Sequence, residues 1–161
     1  MRIEYRNNFS DILLFNAVHQ FLSIPLQGLY LGLTAWIFYS ESLEGSLFLS
    51  VEVALLWYVA LWIFQLVFNV VYLCSRKNHS VLTDHKVEVQ EDALLEETKF
   101  NKSFFYWSGV VRAVSGPGFI GVYVTPHTAH VIPNRAFESE QQRKQFLHLL
   151  KEKISAASIK V

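Results

Sequence analysis

The sequence predicts an α+β membrane protein: a two-helix transmembrane hairpin, then a small antiparallel β-barrel or sandwich closed by a C-terminal helix. Three observations predict it. Hydrophobic residues make up 52% of the 161 residues and charged residues 17%, where a soluble domain carries about a quarter of its residues charged. Charge is also segregated: between Ala17 and Leu73 the charged residues are Glu41, Glu44 and Glu52, whereas twelve of the fourteen Lys and Arg follow Cys74. Beyond residue 80 the apolar residues alternate with period two, then change to helical spacing near the end. The expected organisation is a cytoplasmic segment with an interfacial helix over 1–23, a hairpin over 24–74 with spans about 22–40 and 50–73, and a cytoplasmic β-domain over 83–161.

The second span is the clearer. From Val53 to Cys74 no residue is charged, and about 20 apolar residues in a helix cross a bilayer core. Glu52 lies in the first two turns and can snorkel. Gln65 and Asn69, four apart, share one helical face. In lipid such amides seek a partner on a neighbouring helix, and a functional role stays open beside that structural one. The first span, Ile24 to Tyr39, is shorter and needs Phe21 and Leu22 to cross. Gly28 and Gly32 form a small-xxx-small pair, expected to pack against the second helix or in a dimer. The loop between the spans, 40–46, has no Lys or Arg, while Arg2, Arg6, Arg76, Lys77 and Lys86 flank the outer ends. The positive-inside rule then puts both termini in the cytoplasm. No small-x-small cleavage site accompanies the first twenty residues, so the apolar runs are expected to remain.

Ser10 is a plausible N-cap, with Asp11 in the first turn, for a helix running into the first span. Its polar strip, Asn16, His19, Gln20 and Ser23, suits headgroups or the soluble domain, and Asn16 and His19 are kept as candidate interaction residues.

In the domain, Val87 and Val89 alternate with Lys86, Glu88 and Gln90, a half-buried strand. Glu91-Asp92 turns the chain into a return strand, Ala93 to Thr98. Phe104 to Trp107, Val110 to Val114, Phe119 to Thr125 and Ala129 to Ile132 read as four more, and Ser115-Gly116-Pro117-Gly118 is a strong turn signal. Ser139-Glu140-Gln141-Gln142 is a capping box. It opens a helix whose Phe146, Leu149, Leu150 and Ile154 form one apolar stripe. Six or seven strands and one terminal helix is the layout of a pleckstrin-homology-like domain. In those domains the first hairpin loop is basic. Here Glu91-Asp92 takes that place and argues against phosphoinositide-type lipid binding.

Four stretches stand together: Ser10-Asp11 with Phe15-Asn16 and His19, then Glu91-Asp92-Ala93-Leu94, Tyr106-Trp107-Ser108-Gly109-Val110, and Ile132-Pro133-Asn134-Arg135-Ala136-Phe137. In them the chain resembles the bacterial YcxB-like membrane proteins. The resemblance implies the fold and a bacterial inner-membrane location, and brings no catalytic residue.

The search for chemistry is mostly negative. His127 and His130 form an HxxH whose turn-and-strand setting does not put both on one face, and metal ligation needs three or four groups. No nucleophile elbow, phosphate loop or HExxH occurs. The lone Cys74 excludes an intrachain disulfide, and zero net charge gives no field for nucleic acid. No cofactor, metal or catalytic residue is expected. Trp107, beside Phe104 and Phe105, reads first as core, and Arg135 as a residue that pairs with an acid or the helix start; both are kept as candidate interaction residues. The expected function is a non-enzymatic binding, scaffolding or regulatory module at the cytoplasmic face. Its partners are the lipid bilayer and a protein partner or second copy. Immunity or stress protection against a membrane-acting toxin, and a small-solute transport accessory, are the alternatives.

Overall fold

The computed structural model describes residues 1–75 and 81–159. The chain divides into two compact units: Met1–Phe15 with Arg76–Val161, and Asn16–Ser75.

Among the described residues, the first unit contains seven strands in two antiparallel sheets. One sheet has the order β1 (Arg2–Arg6), β2 (Asp84–Val89), β3 (Ala93–Thr98), β4 (Lys102–Tyr106). The other runs β5 (Arg112–Gly116), β6 (Phe119–Tyr123), β7 (Ala129–Pro133). The expected barrel does not close: among the described residues the two sheets share no strand pairing, and they pack face to face instead. The first strand is also new. Ile3 and Tyr5 alternate with Arg2, Glu4 and Arg6, and they pair across β2 with Val87 and His85. Five residues of alternation were too little to announce a strand whose partner lies some eighty residues on. With β1 in place, Glu91-Asp92 joins the second and third strands, and the connection between the first two strands is the helical segment of the chain.

Inward-facing Ile3, Val87 and Leu94 of one sheet meet Ile120, Val122 and Ile132 of the other, and α4 (Glu140–Ser158) adds Phe146 and Leu150, both fully buried. Each such side chain contributes about 1.5–3 kcal/mol by leaving water. Ser139 caps α4 as expected, accepting from the Gln142 N–H at 3.1 Å. The Gln142 side chain reaches one residue further back than expected, to the Glu138 N–H at 2.7 Å. β6 is buried on both faces, because Phe15 packs edge-on against Phe119 with ring centroids 5.3 Å apart. Phe15 belongs to α1 (Phe9–Phe21). That helix starts one residue before the expected cap. Asn8 precedes it, and the Asp11 carboxylate reaches back to accept the Asn8 N–H at 2.7 Å, one half of a capping box. The β5–β6 turn uses Gly118 at φ +83°, a conformation that costs other residues more.

In the second unit α2 (Ile24–Glu44) and α3 (Leu47–Cys74) form the hairpin. α3 is long and apolar enough to cross a membrane, and α1 with α2, bent by 66° at the break between them, passes the same test as one broken span. Pro25 in the first turn of α2 suits a helix start. The amides on α3 are all taken. Gln65 accepts from the Tyr30 hydroxyl at 3.0 Å. Asn69 and Gln20 exchange two hydrogen bonds, at 2.8 and 3.1 Å. The expected packing of Gly28 and Gly32 against α3 does not occur, since a Cβ at either position would meet nothing within 4 Å. The small residues buried on α3 are Ala54 and Ser50. Arg76 and Lys77, on which the expected orientation leans, lie outside the described residues.

Candidate functional site

The polar residues that stand out lie in the first unit, where β1 and β3 end and β2 and β7 begin. Period-two alternation turns His85 to the same side as Val87 and Val89, and Glu96 to the same side as Leu94, so both face inward. The side chain of Glu96 is 10% exposed. Its two oxygens accept from two imidazoles, His85 Nδ1 at 3.0 Å and His130 Nδ1 at 2.9 Å. One carboxylate thus ties the first sheet to the second. Burial alone would raise the Glu96 carboxyl, but the hydrogen bonds and charge of His130 and His85 outweigh it and bring it down to about 2. The carboxylate is an acceptor only, so both Nδ1 atoms carry hydrogen. His85 Nε2 lies 3.2 Å from the Val81 carbonyl, a second acceptor. Both ring nitrogens of His85 thus face an acceptor. Tyr5 stacks on the ring with planes 7° apart.

Beside this cluster opens a cavity of about 430 Å³, with Asn7, His85, Glu96, His130 and Asn101 among its polar lining and Ile12, Val81, Phe100 and Val131 among its apolar one. Asn7 is 4% exposed. Its Oδ1, the His130 Nε2 and the Tyr5 hydroxyl have no hydrogen-bond partner among the described residues. Burial and the nearby Glu96 charge both push the Tyr5 hydroxyl up, so it stays protonated. Native proteins leave few buried polar atoms unpaired, and three around one cluster mark it. No group of three or more His, Cys, Asp or Glu among the described residues could hold a metal ion: both histidines turn Nδ1 to Glu96, and the Val81 carbonyl takes His85 Nε2.

Residues 89–150 match the family model described as YcxB-like protein. The chain carries a YcxB-like domain. No curated protein and no solved structure matches the chain. The match runs from the last residue of β2 into α4, so Glu96 and His130 of the cleft belong to the YcxB-like domain while Tyr5, Asn7 and His85 come from outside the matched stretch.

Of the residues singled out in the sequence, Trp107 of the YcxB-like domain is 5% exposed and packs in the core. Its Nε1–H points to the carbonyls of Glu91, at 3.0 Å, and Gln90. It fastens the β2–β3 turn and lines a shallow pocket with Glu91, Asp92, Tyr106 and Lys153. Arg135 follows β7, and its guanidinium forks onto both carboxylate oxygens of Asp11 and donates to the Arg6 carbonyl at 2.7 Å. Burial alone would raise the Asp11 carboxyl, but the Arg135 and Asn8 hydrogen bonds hold it below its usual value. Asn16 and His19 lie in the second half of α1, half-buried, and belong to the other compact unit. None of the four lines the cleft. The cleft residues Asn7, His85 and Glu96, and Tyr5 stacked on His85, went unmarked in the sequence, although the alternation that placed Val87 and Leu94 inside could have flagged His85 and Glu96 as buried ionisable groups.

Proposed function

We propose that the chain is a membrane-anchored, non-enzymatic binding module, its YcxB-like domain held at the cytoplasmic face of a bacterial inner membrane. The observation that carries the reading is the surface of α3. Leu56, Phe64 and Val71, each about two turns from the next, are all more than 60% exposed, as are Leu47 and Phe48, and about a tenth of its most apolar window is buried. A helix apolar all round and largely uncovered needs hydrocarbon or a partner around it. Two spans with residues 40–46, the end of α2 and the short break before α3, outside follow from the lack of Lys and Arg there. Seven strands and one terminal helix support a pleckstrin-homology-like reading of the domain, a fold-level analogy. In that reading the helical hairpin replaces the first strand-to-strand loop, so the acidic Glu91-Asp92 turn bears on a different loop from the one first considered. Binding is favoured by the cleft, beside which buried polar atoms find no hydrogen-bond partner among the described residues.

The test uses the native single thiol. Washed membranes extracted with alkaline carbonate should retain the chain. In intact spheroplasts a membrane-impermeant maleimide should label C74S/S42C and spare the wild-type Cys74, which becomes reactive on lysis. Release into the carbonate supernatant overturns the anchoring, and labelling of Cys74 in intact cells overturns the orientation.

A further inference from the structure

We infer that the turn between β3 and β4 docks on an anionic bilayer surface, with the Phe100 ring in the apolar edge of the headgroup layer and the Lys99 and Lys102 ammonium groups on lipid phosphates. The inference rests on the anchored reading above and adds a second, peripheral contact between the domain and the bilayer.

Two exposed rings stand here, each with a cation. Phe100 at the turn is 58% exposed, and Phe104 of β4 is 53% exposed. Phe105 packs against the core, so strand alternation turns Phe104 away from it. Lys99 Nζ lies 4.8 Å from the centre of the Phe100 ring, and Lys102 Nζ 5.9 Å from that of Phe104. A ring flanked by an ammonium suits the headgroup layer, where the carbon meets acyl chains and the charge stays wet. The turn holds Phe100 out by its own hydrogen bonds. Thr98 Oγ1 accepts the N–H groups of Phe100 and Asn101, each at 3.1 Å, and the Thr98 N–H donates to the Asn101 carbonyl at 2.9 Å. These donors are satisfied within the turn, so a drier layer leaves none of them unpaired. Between residues 97 and 102 the charges are Lys99, Lys102 and Glu97, the last 3.7 Å from Lys102. The excess is positive, and each lysine near an anionic leaflet adds attraction. Position completes the case. Thr98 pairs with His85, so the turn lies at the end of the sheet where β2 begins. Val81, just ahead of β2, lines the same cavity as Phe100. Val81 is seven residues beyond Cys74, the last of α3, and seven residues reach at most about 25 Å. An α3 that spans the membrane therefore tethers this turn close to the surface its lysines fit.

The test places one fluorine on the full chain in lipid nanodiscs of phosphatidylcholine with about a third phosphatidylglycerol, an anionic surface. Phe100→4-fluorophenylalanine reports the turn. Tyr106→4-fluorophenylalanine, at a 67% exposed position on the far end of β4, is the control. The readout is ¹⁹F line broadening by a lipid carrying a nitroxide near its headgroup and, separately, by a water-borne gadolinium chelate. The nitroxide should broaden the residue 100 signal several-fold more than that of residue 106, and the chelate should do the reverse. K99E/K102E, and discs of phosphatidylcholine alone, should let the chelate reach residue 100 as it reaches 106, whereas K99R/K102R should match wild type. Chelate broadening equal at the two positions in anionic discs would overturn the dock and put the turn in water. Shielding of residue 100 from both agents would overturn it in favour of a protein cover, a partner or second copy. Nitroxide broadening unchanged without phosphatidylglycerol would overturn the anionic surface. Anchoring is decided separately by carbonate extraction, and a chain retained in washed membranes with residue 100 in water would lose the dock and keep the anchor.

Discussion

Replacing Glu96 by Leu keeps the volume of the side chain and leaves two imidazole N–H groups facing hydrocarbon. The magnitude can be worked in two ways. The Glu96 carboxyl titrates at about 2 where an ordinary Glu titrates at 4.5, and at about 1.4 kcal/mol per pH unit that gap is about 3 kcal/mol. Independently, removing one member of a buried ion pair costs roughly 3–5 kcal/mol. Glu96→Gln should be much milder, about 1 kcal/mol, because the rings can answer it: one imidazole donates its Nδ1–H to the new amide oxygen, and the other, as the opposite tautomer, accepts from the amide nitrogen. Amide hydrogen exchange on the full chain in detergent reads the difference. At β3 and β7 the E96L variant should exchange about a hundredfold faster than wild type, and E96Q less than tenfold faster. Equal rates in E96L and wild type would refute Glu96 as the anion that joins the two sheets. Equal damage from E96Q and E96L would refute the tautomer argument. The pH dependence has a definite sign. The folded value lies below the unfolded one, so the unfolded chain takes the proton first; the Glu96 contribution is complete above about 4.5 and disappears as the pH falls toward 2.

Arg135→Ala should cost about 1–2 kcal/mol and speed exchange in β1, since its fork onto Asp11 and the Arg6 carbonyl couples the end of β7 to the start of the chain; its guanidinium is 46% exposed, which keeps the value low. Gly118→Ala should cost about 1–2 kcal/mol in thermal unfolding, because φ is +83° and a Cβ would meet Leu14 at 3.3 Å. Asn69→Leu should lower the stability of the helical unit by about 1 kcal/mol in a detergent titration by leaving Gln20 unpaired. Ile63→Arg, at a 57% exposed position of α3, should shift the chain toward the carbonate-soluble fraction, since a charge mid-span costs roughly 2.5–3.5 kcal/mol.

Wherever the determinant was local, the sequence by itself was enough. The apolar run of α3, the Gly118 turn, the Ser139 cap and the Phe146/Leu150 stripe are written in neighbouring residues, whose spacing sets which face is apolar and where a helix can begin. The six strands after residue 83 follow for the same reason. Tertiary structure decided what depends on residues far apart in the chain. Arg2–Arg6 becomes a strand because β2 offers an edge to pair with, Gly28 and Gly32 turn from α3 because nothing in their own turn dictates which helix face meets a neighbour, and the sheets stay separate. The cleft, with Tyr5 stacked beside it, belongs to this second kind. Tyr5, Asn7, His85, Glu96 and His130 come from β1, the segment after it, β2, β3 and β7, and no stretch of sequence holds more than two of them. Their charge and hydrogen bonding were set when two sheets closed over one carboxylate, where low exposure makes every unpaired atom costly enough to notice.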